Sequence, residues 1–195
     1  MVTLSDLSPA QSALLDATER LVYAGGIHAT GMDAIVNASG VARKTLYRHY
    51  STKEALVEAA LLRRDARWMR WFVAATSASD DPVERLLSCF DALRDWFGSS
   101  DFHGCAFLNA AGEIGDPGSR IRAVSHGHKR CLRDYLLELV TATGHPDSSE
   151  LAEQFLILID GAISVVLVLG GANAAGSAKH AARRFLGLPS LDTKP

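Results

Sequence analysis

The sequence predicts an all-α protein: an N-terminal three-helix helix-turn-helix domain, joined by a long helix to a larger C-terminal helical domain. Three observations carry this expectation. Apolar residues recur at three- and four-residue spacing, and no stretch keeps the alternation of a half-buried strand. Helix start signals punctuate the chain at Ser8-Pro9, Ser51 to Glu54, Asp81-Pro82 and Asp147 to Glu150. Between residues 31 and 54, two short helical patterns flank a Ser-Gly turn, and the second carries a cluster of cations. The expected boundary falls between 1–54 and 55–195.

The first helix is expected over 9–24, with Ser8 as N-cap and Pro9 in the first turn. Leu14, Thr18, Leu21 and Val22 share one face, and Gly25-Gly26 ends it. The second runs roughly over 32–38, with Thr30 or Gly31 at its cap and Ile35 and Val36 turned inward. Ser39-Gly40 makes the turn, and Gly40 is where a positive φ is expected. The third helix spans about 42–50. At about 100° per residue, Arg43, Lys44, Tyr47 and Arg48 share a face while Leu46 points away. A capping box, Ser51 to Glu54, opens a long helix over 52–77.

In that long helix Trp68, Trp71, Phe72 and Ala75 form a stripe that suits core packing or the wall of a ligand pocket. Residues 77–82 break the pattern. Asp81-Pro82 then caps a helix over 82–97, whose buried face is Leu86, Phe90, Leu93 and Phe97. A short apolar segment follows at Gly104 to Ala111. A helix over 119–143 turns Ile121, Val124, Leu132, Leu136 and Leu139 inward. The box Asp147 to Glu150 opens an apolar helix closed by Gly170-Gly171. An alanine-rich helix over 173–187 precedes a tail expected to fray.

Composition narrows the function classes. The chain is 48% hydrophobic and 22% charged, which excludes a disordered protein. Its net charge of -2 excludes a uniformly basic surface. Yet residues 41–53 hold Arg43, Lys44, Arg48 and Lys53 and no acid, as suits a protein that touches nucleic acid at one place. Cys89, Cys105 and Cys131 are odd in number and widely spaced, which fits a reducing cytoplasm. The first residues lack the pattern of a signal peptide. Residues 155–172 are nearly all apolar, but Asp160 interrupts them, and the run is at the short limit for a bilayer, roughly 17 residues. No membrane is expected; a helix buried in a protein interface is.

Arginine and lysine on the third helix suit guanine edges in a major groove, and Tyr47 and His49 suit phosphates. Lys53 stands at a helix N-terminus, where amides and a lysine together hold a phosphate. The competing reading is a solvated basic face on an all-α small-molecule-binding protein or enzyme. No catalytic residues are expected: there is no phosphate-binding loop and no nucleophile elbow. His126, His128 and Cys131, with His103 and Cys105, match no zinc spacing, so neither metal nor cofactor is expected. Asp160 in an apolar helix wants a hydrogen-bonding partner on a neighbouring helix or subunit. Trp68, Trp71, Phe72, Phe90, Phe97, Phe107 and Phe155 suit either a mostly apolar effector pocket or a packed core.

The first ~55 residues resemble the N-terminal domain of the TetR family of bacterial transcriptional regulators. The matching residues are Gly26, Thr30, Met32, Ile35, Gly40-Val41, Thr45 through Tyr50, Lys53-Glu54 and Leu56, with a weaker match over Gly104 to Glu113 and at Asp160-Gly161. The resemblance implies that Arg43, Lys44 and Thr45 read bases, and that Thr30, Tyr47, His49 and Lys53 hold phosphates. It implies a C-terminal ligand-binding and dimerisation domain whose last two helices pair with a second subunit; Leu158, Ile159, Val166, Ala178 and Phe185 are candidate contacts. It further implies a dimeric repressor of a palindromic operator, released by a small effector, which the aromatic residues suggest is mostly apolar. Ala42 stands where a capping Ser is usual, and Gly31 where a Ser or Thr often caps. The physical logic agrees. Two readers on a two-fold axis span major grooves about 34–36 Å apart, and an apolar helix needs a partner to cover it.

Overall fold

The computed structural model describes residues 7–171 and 173–189. Residues 1–6, where a signal peptide would lie, and residues 190–195 of the expected frayed tail lie outside the described residues. The described chain contains helices and no strand. In order these are α1 (Pro9–Gly25), α2 (Met32–Ser39), α3 (Arg43–His49), α4 (Lys53–Ala75), α5 (Pro82–Phe97), α6 (Ala106–Glu113), α7 (Arg120–Ala142), α8 (Ser148–Leu169) and α9 (Asn173–Phe185).

The chain divides into two compact units. The first combines Met1–Arg67 with Ala106–His128, and the second combines Trp68–Cys105 with Lys129–Pro195. The first therefore holds α1 to α3, the first turns of α4, all of α6 and the start of α7. Its core packs Leu14, Leu15 and Ala17 of α1 against Ile35 of α2, Leu46 of α3, and Leu56 and Ala60 of α4. Burying a Leu or Ile side chain of this kind contributes roughly 1.5–3 kcal/mol, so the short α2 and α3 lean on a few contacts. Ion pairs tie α1 to α4: Glu19, nearly buried, pairs with Arg64 at 2.8 Å and also with Arg67, while Arg63 reaches Asp16 at 2.6 Å. His128 is buried, with Nδ1 2.7 Å from Asp65 and its ring stacked on Phe107.

In the second unit, α9 packs against α5 and α8. Its inward residues are Ala175, Ala178 and Ala182, and their small side chains allow close approach. Phe90 of α5 meets Phe155 of α8 at 5.9 Å between ring centroids. Arg85 closes the α4–α5 turn, donating to the Thr76 carbonyl, Ser77 Oγ and the Tyr135 hydroxyl. Asp160 finds its partner on a neighbouring helix, in Lys129 of α7. Burial pushes the Cys89 thiol up to about 12, so it stays protonated and packs as a small apolar group. Among the described residues α8 is the helix long and apolar enough to cross a membrane.

Two caps differ from expectation. At α4 the capping oxygen is Thr52 Oγ1, which accepts from the Ala55 amide at 3.1 Å, and Ser51 is one residue too early. At α8 the Asp147 side chain makes no capping bond, because its backbone (φ -107, ψ 55) is outside the extended region that aims the carboxylate at the first turn. Ser8 does cap α1, and Gln11 reaches back to complete a box.

Candidate nucleic-acid interface

The turn before α3 is built as its residues require. Gly40 adopts φ 67, ψ 7 and donates its amide to the Val36 carbonyl at 3.1 Å. A side chain there would be strained in the left-handed region. Ser39 Oγ accepts from the Val41 amide at 3.2 Å and holds the exit. α3 itself has no side-chain cap, as Ala42 dictates. Leu46 is fully buried and anchors the helix to the core.

With Leu46 inward, Arg43, Lys44, Tyr47 and Arg48 are exposed, and Thr45 and His49 are half-buried beside them. Lys53, the first residue of α4, is half-buried. Among the described residues, the one acid that pairs with the exposed cations is Asp33 of α2, which meets Arg43. Both side chains are more than half exposed, and such a pair is worth about 0–1 kcal/mol, so it holds the guanidinium only weakly. Thr30 departs from the expected set. It is buried, and its hydroxyl donates to the Gly26 carbonyl at 2.7 Å. Its proton is committed to the α1–α2 loop rather than presented to a phosphate.

The sequence profile of the bacterial regulatory proteins of the tetR family matches residues 14–60, the stretch that forms this reader. The crystal structure of a TetR-family transcriptional regulator from Streptomyces coelicolor is 30% identical, covers 92% of this chain and 95% of that one, and superposes with a TM-score of 0.86. The chain belongs to the TetR family. Among curated relatives, the transcriptional repressor ComR of Escherichia coli is 29% identical over 161 residues, spanning 77% of this chain and 76% of that protein. An HTH-type transcriptional regulator of Mycobacterium tuberculosis is 37% identical over 78 residues. That match covers 40% of this chain and only 39% of the relative's length. This TetR-family chain is thus a transcriptional regulator with a DNA-binding helix-turn-helix.

The aromatic residues expected near an effector fall into three groups. Trp68, Trp71, Phe72 and Phe97 come together, joined by Trp96 and Phe102, whose place no sequence pattern marks. Trp68 stacks on Phe72 at 4.8 Å, and Trp71 is partly exposed. Phe90 and Phe155 pair separately in the core. Phe107 belongs to the first unit, stacked on His128. A small pocket, open in part to solvent, lies in the first unit instead, lined by Thr18, Glu19, Tyr23, Arg64, Asn109 and Glu113 among apolar neighbours. None of the seven aromatic candidates lines it.

The expected interface residues also divide. Ile159 is 0% exposed, and Val166 and Ala178 are buried inside the protomer. These three of the candidate subunit contacts lie in the protomer's own core. Leu158 is half-buried and Phe185 is exposed. The outer stripe of α8 is instead Ile157, Gly161, Ser164, Val165 and Val168, which recur at helical spacing; Ile157 is 68% and Val168 78% exposed. Because α8 is apolar almost all round, its sequence does not tell the inward face from the outward one.

Proposed function

We propose that this regulator is a homodimeric, effector-responsive repressor that reads a palindromic operator in the cytoplasm. The observation that carries the reading is the exposed basic face of α3, with Arg43, Lys44, Tyr47 and Arg48 pointing outward around the buried Leu46. Arg43, Lys44 and Thr45 face bases, and Tyr47, His49 and Lys53 hold phosphates. The outer stripe of α8, centred on Ile157, Val165 and Val168, is large and apolar for a surface that meets only water, and a second copy covers it. Its E. coli relative ComR is a repressor, which supports repression here. The exposed edge of the Trp68, Trp71 and Trp96 cluster supports a mostly apolar, aromatic effector.

The test is selection of a duplex from a random-sequence pool, followed by binding at several salt concentrations. An enriched palindrome is expected, with a steep fall of affinity as salt rises. Arg43→Ala should cost about 1–3 kcal/mol at particular base pairs. An equal loss on every sequence would place Arg43 on the backbone, and a chain that enriches no duplex would overturn the reading.

A further inference from the structure

The α1–α2 loop of the reader is held from a distance. Oε1 of Glu113, the last residue of α6, accepts from the Ile27 amide at 2.9 Å, and Oε2 accepts from the His28 amide at 2.9 Å. His28 Nε2 lies 3.0 Å from the Glu113 carbonyl oxygen, which accepts from the tautomer protonated there. The loop is shaped around this carboxylate. Gly26 has φ +91, and a Cβ on it would stand 3.0 Å from both Glu113 oxygens. On its far side, the loop is knit by Thr30, whose hydroxyl donates to the Gly26 carbonyl and whose amide donates to the Ile27 carbonyl. The next residue, Gly31, is the N-cap of α2, and α2 leads through Gly40 to α3.

A carboxylate is the one side-chain group that offers two acceptor oxygens and no donor. Its hydrogen bonds to backbone amides are charge-assisted and roughly twice as strong as neutral ones. Two successive amides aimed at two oxygens fix both the position and the tilt of the loop. Nearby, Ser119 donates to Glu54 at 2.9 Å and Arg120 pairs with Glu58 at 3.5 Å, so the start of α7 also grips the first turns of α4. The reader is thus braced at the entry to α2 and at the start of α4.

We propose that Glu113 is a positioning residue for DNA recognition: its carboxylate sets the α1–α2 loop and, through α2, the angle at which α3 meets the groove. This rests on the DNA-reading function proposed above. Glu113 touches no base and no phosphate. It acts on the geometry of the reader, so it governs discrimination between sequences more than general attraction to the duplex.

The experiment uses the full chain, the duplex that the wild-type protein selects from a random pool, and an unrelated duplex of equal length. Glu113→Gln keeps the size but sets an amide NH2 against a backbone N–H; Glu113→Ala removes both acceptors. Both variants should bind the selected duplex about tenfold more weakly while binding the unrelated duplex as the wild type does, with the salt slope kept. The Ile27 and His28 amides should exchange faster with solvent, while the far-UV spectrum stays helical at the assay temperature. Variants with wild-type discrimination overturn the proposal. So does a parallel loss on both duplexes that follows the folded fraction, because a merely structural role predicts that. A wild-type chain that selects no duplex fails the DNA-reading function itself, which is a separate and distinguishable result.

Discussion

α3 buries one side chain, Leu46, whereas α8 buries seven, from Leu151 to Val166. α3 begins at an N-cap with no side-chain bond and presents its remaining faces to solvent or to the edge of a small core. α8 is three times as long and apolar both inside and out. The difference fits the role proposed for each helix. A helix that is to read bases has to leave most of its surface free, so its hold on the protein is concentrated in one anchor and in the turn before it. A packing helix spreads its hold over many contacts, and a single loss is shared among them. The reader compensates with bracing from outside its own sequence, in the bonds from Glu113 and Ser119.

The sharpest way to break this comparison is Leu46→Ala. Removing a fully buried Leu costs roughly 2–5 kcal/mol, depending on how far the site collapses. In α3 no second side chain takes up the load. Binding of the selected duplex should disappear, and amides of α2 and α3 should exchange freely while those of α8 stay protected. Hydrogen exchange read residue by residue distinguishes this local release from global unfolding. Slowed exchange across α3, with duplex binding within twofold of wild type, would show that the helix has anchors beyond Leu46.

The second test turns the comparison onto the two faces of α8. Ile157→Asp puts a charge on the outward stripe, and burying an unpaired carboxylate in an interface costs several kcal/mol. Sedimentation should then find monomers that unfold near the wild-type midpoint for a single subunit. Ile159→Ala, only two residues away but facing inward, should do the reverse: a loss of roughly 2–5 kcal/mol in unfolding free energy with the dimer kept while folded. If both substitutions act on assembly alike, the division of faces drawn from burial is wrong.

These same helices show how much the sequence could tell. The face of α3 was readable because Leu46 stands alone among polar neighbours, so the amphipathic phase has one solution. The turn was readable because only Gly sits easily at φ 67. In α8 nearly every phase is apolar, so Ile159 and Val166 could not be told from Ile157 and Val168 without the packed neighbours. Residue type alone groups Phe107 with the other aromatics, and its stacking on His128 depends on where α6 lies. Glu113 ends the stretch from Gly104 that resembles the family, but nothing local there names its partners. Its partners are 86 and 85 residues away in the chain, and a Glu ending a helix ordinarily faces water.

The smallest expected effect concerns the start of α4, where Lys53 stands beside the reader. The sequence favours Ser51 as the capping residue through the Ser51–Glu54 box, and the structure favours Thr52 through its bond to the Ala55 amide. A lost N-cap typically costs about 0.5–2 kcal/mol. Thr52→Ala should therefore lower the unfolding free energy by about that amount, and Ser51→Ala should change it by less than about 0.5 kcal/mol, as for an exposed residue outside such features. Urea unfolding of the two variants side by side decides between them. The reverse ranking would mean that the helix begins one residue earlier and that Glu54, which here accepts from Ser119, closes the box instead. The brace from α7 would then be the bond to discard, because Glu54 cannot serve both partners with the same oxygen in the same geometry.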